Sequence, residues 1–317
     1  MVSHRLSSWR LPLFIAAPGR SRAAPQIRHA TSAFPAHRRA RRSGQPALTN
    51  ALRPLEDEFA APLVLRTPKG VRLTPAGEVL AARAATVARE IERARDEVRW
   101  QQREQSAQVA VGVSPAAAIE VLPGVLALLR SHWQQLSVRV VDGFYPHALT
   151  MVRRGELDLA VGPLPLDGAG RDLRVVPLFD SQQLLVARGG HPLAGARRLA
   201  ELQRAAWVLT GPRGGPGDPR RLGFEQIGLA VPPVVLECES FSKLLALMPG
   251  ADVMGIMPEP FYRAHAALHG IVSMPIEEPL PRVALHAVWR AEVPLTAPAA
   301  HLLDAIEAQS RSLRARR

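Results

Sequence analysis

The sequence predicts an α/β protein: a small helix-and-hairpin head, one long helix over residues 75–104, and a two-lobe body. Three observations predict it. From Gln108 to residue 306, short β-rich runs alternate with amphipathic helical segments, the pattern of a sheet flanked by helices. Across residues 75–104 the apolar positions recur at alternating spacings of 4 and 3, which is a helical seam. Finally, +9 of the net charge of +12 falls in residues 1–44, which hold nine arginines and no Asp or Glu, so the rest of the chain is nearly balanced.

Composition narrows the function classes. At roughly 100–200 residues per domain, 317 residues make two or three domains, and 47% apolar residues provide material for their cores. No apolar run reaches the roughly 18–20 residues needed to span a bilayer; the best one is broken by Pro249 and Asp252. No membrane role is expected. The one cysteine, Cys238, cannot form an internal disulfide or a multi-cysteine metal site, and the chain reads as cytoplasmic. Lys69 and Lys243 are its only lysines among 40 basic residues, a bias that follows a GC-rich genome.

Residues 1–44, with Pro12, Pro18, Pro25 and Pro35, show neither a helical nor a strand period. A basic arm on DNA is one reading. A targeting peptide built on Leu11–Ala17 is another, disfavoured by its short, Pro-interrupted apolar run. The third is a disordered or mistranslated leader.

From Gln45 the texture changes. Leu48, Ala51, Leu52, Leu55 and Phe59 fall at spacings of 3, 1, 3 and 4, one stripe on a helix. Gly44 is its expected N-cap and Pro46 sits in its first turn. Pro54 removes a backbone donor and predicts a kink or an early end. Two short extended pieces then flank Pro68-Lys69-Gly70. Thr74 caps the next helix, with Pro75 at its first position. That helix carries Leu80, Ala84, Val87, Ile91, Ala94 and Val98 as a narrow stripe that asks for a partner helix, making a homo-dimer or tetramer the expected state.

Gln45-Pro46-Ala47-Leu48-Thr49, Leu52-Arg53-Pro54-Leu55-Glu56, Pro62-Leu63, Arg66, and Gly70-Val71-Arg72-Leu73-Thr74 before Ala76-Gly77-Glu78 resemble the second half of the winged helix-turn-helix of LysR-type transcriptional regulators. The resemblance implies that the helix from Gln45 enters the major groove of double-stranded promoter DNA. Gln45, Pro46, Thr49, Asn50 and Arg53 would meet bases or phosphates. Arg66, Lys69 and Arg72 would grip the backbone from the wing. Family members carry two ordered helices before this point, which residues 1–44 do not supply. An acid-free leader joined abruptly to a patterned domain is what a GC-rich gene read in the wrong frame produces. The head is then partial and its DNA binding impaired, which leaves open a small-molecule-binding protein that no longer binds DNA.

In the body, Val109–Val113, Val138–Val141, Leu157–Val161, Leu184–Ala187, Val208–Thr210, Val234–Glu237, Val253–Met257 and Val283–Trp289 read as strands. Leu122–Trp133, Pro146–Arg154, Pro219–Ile227, Ser240–Met248 and Pro260–Leu268 read as helices. These are too many units for one small sheet, hence two lobes, with ligands at the carboxyl ends of the strands. Val111-Gly112-Val113-Ser114, Leu122-Pro123, Gly155-Glu156-Leu157-Asp158-Leu159-Ala160-Val161-Gly162 and His191-Pro192-Leu193 are similar to landmarks of the same family's effector domain, itself like periplasmic binding proteins. The resemblance implies lobe I at 108–163 plus 272–306, lobe II at 164–271, and crossings near Pro163–Pro165 and Ile271–Pro275. Residues 307–317 would be a basic tail. Ser114, Phe144, Tyr145, Pro163, Thr210 and Ser240 would line the cleft, and Arg213 would face an anion. Hydroxyls and free N–H groups at helix starts suit a small organic effector, anionic or polyhydroxy.

No enzyme chemistry is expected. His265 and His269 share a helical face but lack a third ligand. Gly211–Asp218 is Gly-rich without phosphate-loop spacing, no Gly-x-Ser-x-Gly elbow occurs, and the adjacent Glu277 and Glu278 point apart if extended. No cofactor, metal site or catalytic residue is predicted.

Overall fold

The computed structural model describes residues 45–67, 70–101, 107–132, 136–143, 145–165, 168–216 and 218–316. The basic leader, the expected cap Gly44, Lys69 and Phe144 lie outside them. The chain divides into two compact units between Arg95 and Asp96.

The first unit contains α1 (Gln45–Glu58), the hairpin β1 (Val64–Thr67) and β2 (Gly70–Leu73), and most of α2 (Pro75–Gln101). Helix α1 continues past Pro54, where an early end is predicted. Leu52 and Leu55, on either side of that proline, are both buried with Leu63 and against Leu80, and this packing offsets the lost backbone bond. Phe59, expected on the stripe, is 45% exposed just past the helix end. Glu56 Oε1 accepts from the backbone N–H of Leu63 at 2.7 Å and Val64 at 3.3 Å, tying the hairpin to α1. Thr74 Oγ1 donates to the Pro62 carbonyl at 2.6 Å and accepts from Gly77 N at 2.9 Å, the cap the sequence predicts. Gly77 is required by close approach: a Cβ there would stand 2.0 Å from the Leu63 carbonyl oxygen.

In the second unit, β3 (Ala107–Val113), β4 (Leu136–Asp142), β5 (Leu159–Pro163), β6 (Leu173–Ser181) and β12 (Val283–Arg290) form one mixed sheet in the order β4-β3-β5-β12-β6. β3 runs parallel to β4 and β5, and β12 runs antiparallel to β5 and β6. Helices α3 (Pro115–Glu120), α4 (Leu122–His132) and α9 (Ala297–Arg316) join one face, where Val109, Val111, Val125, Leu302 and Ile306 form a continuous core. Helix α5 (His147–Arg153) covers the other with Leu149 and Val152 packed against Leu157 and Val288. Alternate residues of β5 serve the two faces, as a period of two requires. Asp158, in the expected Gly-Glu-Leu-Asp stretch, ties β5 to β3: its Oδ2 accepts from Ala110 N at 2.8 Å.

The second lobe holds an antiparallel sheet of β10 (Gly255–Pro258), β7 (Gln183–Arg188) and β11 (Ile271–Ser273), and a parallel pair, β8 (Trp207–Leu209) and β9 (Val234–Glu237). A bridge from Trp207 to Met254 joins the two. Helices α6 (Pro219–Gln226), α7 (Phe241–Leu247) and α8 (Glu259–His265) pack around them.

The lobe boundaries differ from the expected ones. β6, within the span assigned to lobe II, pairs along the whole of β12 in the first sheet. The first crossing is therefore at Ser181–Gln183, where a single residue, Gln182, separates the end of β6 from the start of β7. Pro177 hides this strand, because proline cannot donate to a ladder, but β6 is the sheet's edge strand, where proline is tolerated. The register shifts beside it, at Leu285/His286. At the second crossing, β11 still belongs to the second lobe, so the passage lies between Ser273 and Val283. Residues 307–316, expected as a tail, are the C-terminal half of α9.

Candidate effector cleft and DNA-reading head

A cleft of about 640 Å³, its open mouth included, lies between the lobes of the second unit. The first lobe contributes the carboxyl ends of its parallel strands: Ser114 after β3, Gly143 and Tyr145 after β4, and Pro163 closing β5. Gly143 must be glycine, since a Cβ there would fall 2.6 Å from Val113 N, and this close approach keeps the floor open. The second lobe contributes Thr210 after β8, the turn with Pro212 and Pro216, Phe241 at the start of α7, and Ile256 and Pro258 of β10. Ser181, Gln183, Val283 and Leu285 close it at the two crossings.

The lining is apolar apart from a few neutral polar groups. Ser114, Ser181, Gln183 and Thr210 are all buried. Gln183 Nε2 donates to the Ser181 carbonyl at 3.1 Å. The Oγ atoms of Ser114 and Ser181 are buried without a hydrogen-bond partner, which is costly for a hydroxyl unless something else supplies the bond.

Of the cleft residues the sequence predicts, Ser114, Tyr145, Pro163 and Thr210 come together here. Ser240 does not line the cleft; its Oγ caps α7, accepting from Lys243 N at 3.4 Å and sharing a bond with Ser242 Oγ at 2.9 Å. Arg213 turns outward. Its Nε donates to Glu237 Oε1 at 2.5 Å and its side chain is 64% exposed, because the carboxylate at the end of β9 captures it. Ser181 and Gln183 escape a sequence reading that misses β6. The available signal is the polar run Asp180-Ser181-Gln182-Gln183 between two apolar stretches.

In the head, Arg53 and Arg72 are exposed. The side chains of Gln45, Pro46, Thr49, Asn50, Arg66 and Lys69 lie outside those described. On α2, Ala84 is buried and Leu80 half-buried, while Val87, Ile91 and Val98 are 48%, 43% and 54% exposed, and Ala94 is exposed as well. His265 packs its ring on Phe261 at 4.7 Å, and His269 Nδ1 bonds the His265 carbonyl at 3.0 Å. Among the described residues, no cluster of three or more His, Cys, Asp or Glu could hold a metal, and no helix is long and apolar enough to cross a membrane.

The description "LysR substrate binding domain" matches residues 102–311, and "Bacterial regulatory helix-turn-helix protein, lysR family" matches residues 39–78. The chain belongs to the LysR family of transcriptional regulators. The HTH-type transcriptional regulator TdcA of Escherichia coli K12 is 27% identical over 249 residues, covering 77% of this chain and 78% of TdcA. Among solved structures, CbnR, a LysR family transcriptional regulator, superposes with a TM-score of 0.67 at 17% identity, over 95% of this chain and 99% of CbnR. The same protein complexed with its target DNA gives 0.65. The effector-binding domain of QuiR in complex with shikimate gives 0.57 at 14% identity, over 66% of this chain and 99% of that one. The family is one of DNA-binding regulators with an effector domain, not of enzymes.

Proposed function

We propose that this LysR-family chain works in the cytoplasm as a homo-oligomer, senses a small organic molecule in the cleft between its lobes, and converts occupancy into altered promoter binding. The observation that carries the reading is the pair of buried, unpartnered hydroxyls, Ser114 and Ser181, on a cleft at the carboxyl ends of the parallel strands, where open α/β folds bind ligands. Tyr145, Pro163, Thr210, Gln183 and Phe241 complete the contact set. CbnR bound to its target DNA and QuiR bound to shikimate support both halves of the reading.

The division of labour follows. Residues 45–74 read DNA, with Gln45, Pro46, Thr49, Asn50 and Arg53 on the major-groove helix and Arg66, Lys69 and Arg72 on the phosphates from the wing. Leu80, Ala84, Val87, Ile91, Ala94 and Val98 pair α2 with a second copy. Lobe I is built from residues 107–181 and 283–316, lobe II from 183–273. Because the connections cross at only two places, an effector touching both lobes favours the closed arrangement and shifts the population toward it.

The test is fluorescence anisotropy of the full chain on a duplex from its own upstream region, against a scrambled duplex across a salt series. A preference of at least tenfold, about 1.4 kcal/mol, is expected. Equal, salt-sensitive binding to both duplexes would mean that the Arg-rich leader acts only as a polycation, leaving a small-molecule-binding protein without its reader.

A further inference from the structure

The lobes of the second unit are joined by two single residues. Gln182 separates the end of β6 from the start of β7. In the return passage, Glu277 N donates to the Arg197 carbonyl at 2.8 Å, Glu278 Oε2 accepts from Leu199 N at 3.2 Å, and Leu280 packs on the second lobe's core of Trp207 and Phe224. Leu280 and Pro281 also stand against Gly223 of α6, where a Cβ would meet them at 3.4 and 3.7 Å. Arg282 alone then links Pro281 to Val283, the first residue of β12, and Val283 pairs with Ser181, the last residue of β6. Gln182 and Arg282 therefore lie side by side. Two adjacent single-residue links make a hinge: they hold the lobes together but leave the angle between them to other contacts.

One such contact is made by α3. Its Ala116 and Ala117 are buried in the core of the first lobe, and the helix lies against α8 of the second. Ile119, just beyond them and half-buried, packs against the second lobe's cluster of Phe241, Leu244, Met257 and Phe261. A side chain of one lobe is thus seated on the core of the other. With the lobes together this side chain is held out of water; swung apart, it and its seat would be wetted, so burial favours the observed angle with no ligand present. The seat also reaches the cleft. Phe241 lines the cleft, and its ring meets that of Phe261 at 4.7 Å between centroids, tilted by 55°. Because packed cores transmit strain, a molecule that moves Phe241 disturbs the seat of Ile119.

From the two single-residue links and the seating of one lobe's side chain on the other's core, we infer that Ile119 is a positioning residue: it latches the lobes at one angle in the absence of effector, and Phe241 couples that latch to the cleft. The latch stands on the packing alone, whereas the coupling rests on the cleft being the effector site. An effector then changes the lobe angle by reshaping this seat, and shifts the population by its preference for one arrangement.

The test is pulsed electron paramagnetic resonance on the full chain without effector, with spin labels on two introduced cysteines, Ser312→Cys in the first lobe and Gln226→Cys in the second. Both positions are exposed and Cys238 is buried; a chain without the introduced pair checks that Cys238 takes no label. Excess unlabelled chain confines each measured distance to one copy. The parent is expected to give one narrow interlobe distance. Ile119→Ala should place at least about a tenth of its distribution at a second distance, and Phe241→Ala should do the same. Val125→Ala, a truncation in the first lobe's core outside the seat, should keep the single distance. Thermal unfolding checks that each variant folds, and Ile119→Val takes the place of Ile119→Ala if the latter does not. A single, parent-like distance in the Ile119 variant would overturn the latch, as would a broad distribution in the parent. A second distance in Val125→Ala as well would mean general loosening and would overturn it too. A shift with Ile119→Ala but none with Phe241→Ala would overturn the coupling alone. None of these readings uses an effector or DNA, so the anisotropy experiment judges the regulator reading separately.

Discussion

Helices α2 and α9, 27 and 20 residues long, both carry apolar residues at helical spacing, yet they bury them differently. Ala299, Leu302, Leu303 and Ile306 of α9 are sunk into the core on the five-stranded sheet, with Leu302 at 0% and Ile306 at 2% exposure. Val87, Ile91 and Val98 of α2 remain about half exposed. Width explains the contrast. The α9 stripe includes the adjacent positions 302 and 303, wide enough to cover a sheet, whereas the α2 stripe is a single narrow seam of the kind that fits a second helix. A periodic pattern thus announces that a face must be covered, and its width indicates by what.

That contrast can be broken at either helix. Leu302→Ala should have the largest effect, destabilising the second unit by about 2–5 kcal/mol through lost burial and the cavity left behind. Urea unfolding followed by circular dichroism measures it, and a loss below about 1 kcal/mol would mean that the core tolerates α9 poorly packed. Ile91→Asp on α2 should leave the chain's own unfolding within about 0.5 kcal/mol while raising the dimer dissociation constant at least a hundredfold, about 2.7 kcal/mol. Sedimentation equilibrium reads the mass directly; an unchanged dimer would show that the seam is not the pairing surface. Thr74→Ala, which removes the cap of α2 and its bond to the Pro62 carbonyl, should lower the melting transition of the first unit by about 1 kcal/mol. No change there would mean that water replaces both bonds at no cost.

The smallest effect should come from His286 on β12, the strand at the centre of the α9 sheet's antiparallel half. Burial pushes its imidazole below the ordinary value of 6.5, opposed by the nearby Asp180 carboxylate and a backbone bond at Ala284. The folded state therefore prefers the neutral ring. Its contribution is fully present above the unfolded pKa of about 6.5 and is lost as pH falls through the lower folded value. Stability measured from pH 8 downward should begin to decline as pH falls below about 6.5 in the native chain and more gently in His286→Gln. Parallel profiles would remove His286 as a cause.

Much of the local structure was legible in the sequence. The head hairpin, the Thr74 cap, and the starts of α4 and α6 follow from turn residues, caps and apolar spacing, all of which act over a few residues. Four of the cleft residues were legible for the same reason, since Ser114, Tyr145, Pro163 and Thr210 each stand just after or at the end of a readable strand. β6 was not, because Pro177 breaks its pattern and only its place at the sheet edge makes that proline tolerable. With it went Ser181 and Gln183, and the true position of the first crossing. The terminal arginines likewise disguised the second half of α9, whose buried face depends on a sheet whose first strand lies nearly two hundred positions earlier in the chain.

By itself, then, the sequence determined the elements, the family resemblance and the need for covered faces, because periodicity and capping are short-range. Only the tertiary structure decided which strand fills the far edge of β12, which hydroxyls are left buried without partners, and which carboxylate each arginine finds. Those outcomes depend on pairings between distant segments, such as Arg213 with Glu237 or Ser181 with the cleft, and no local pattern specifies them.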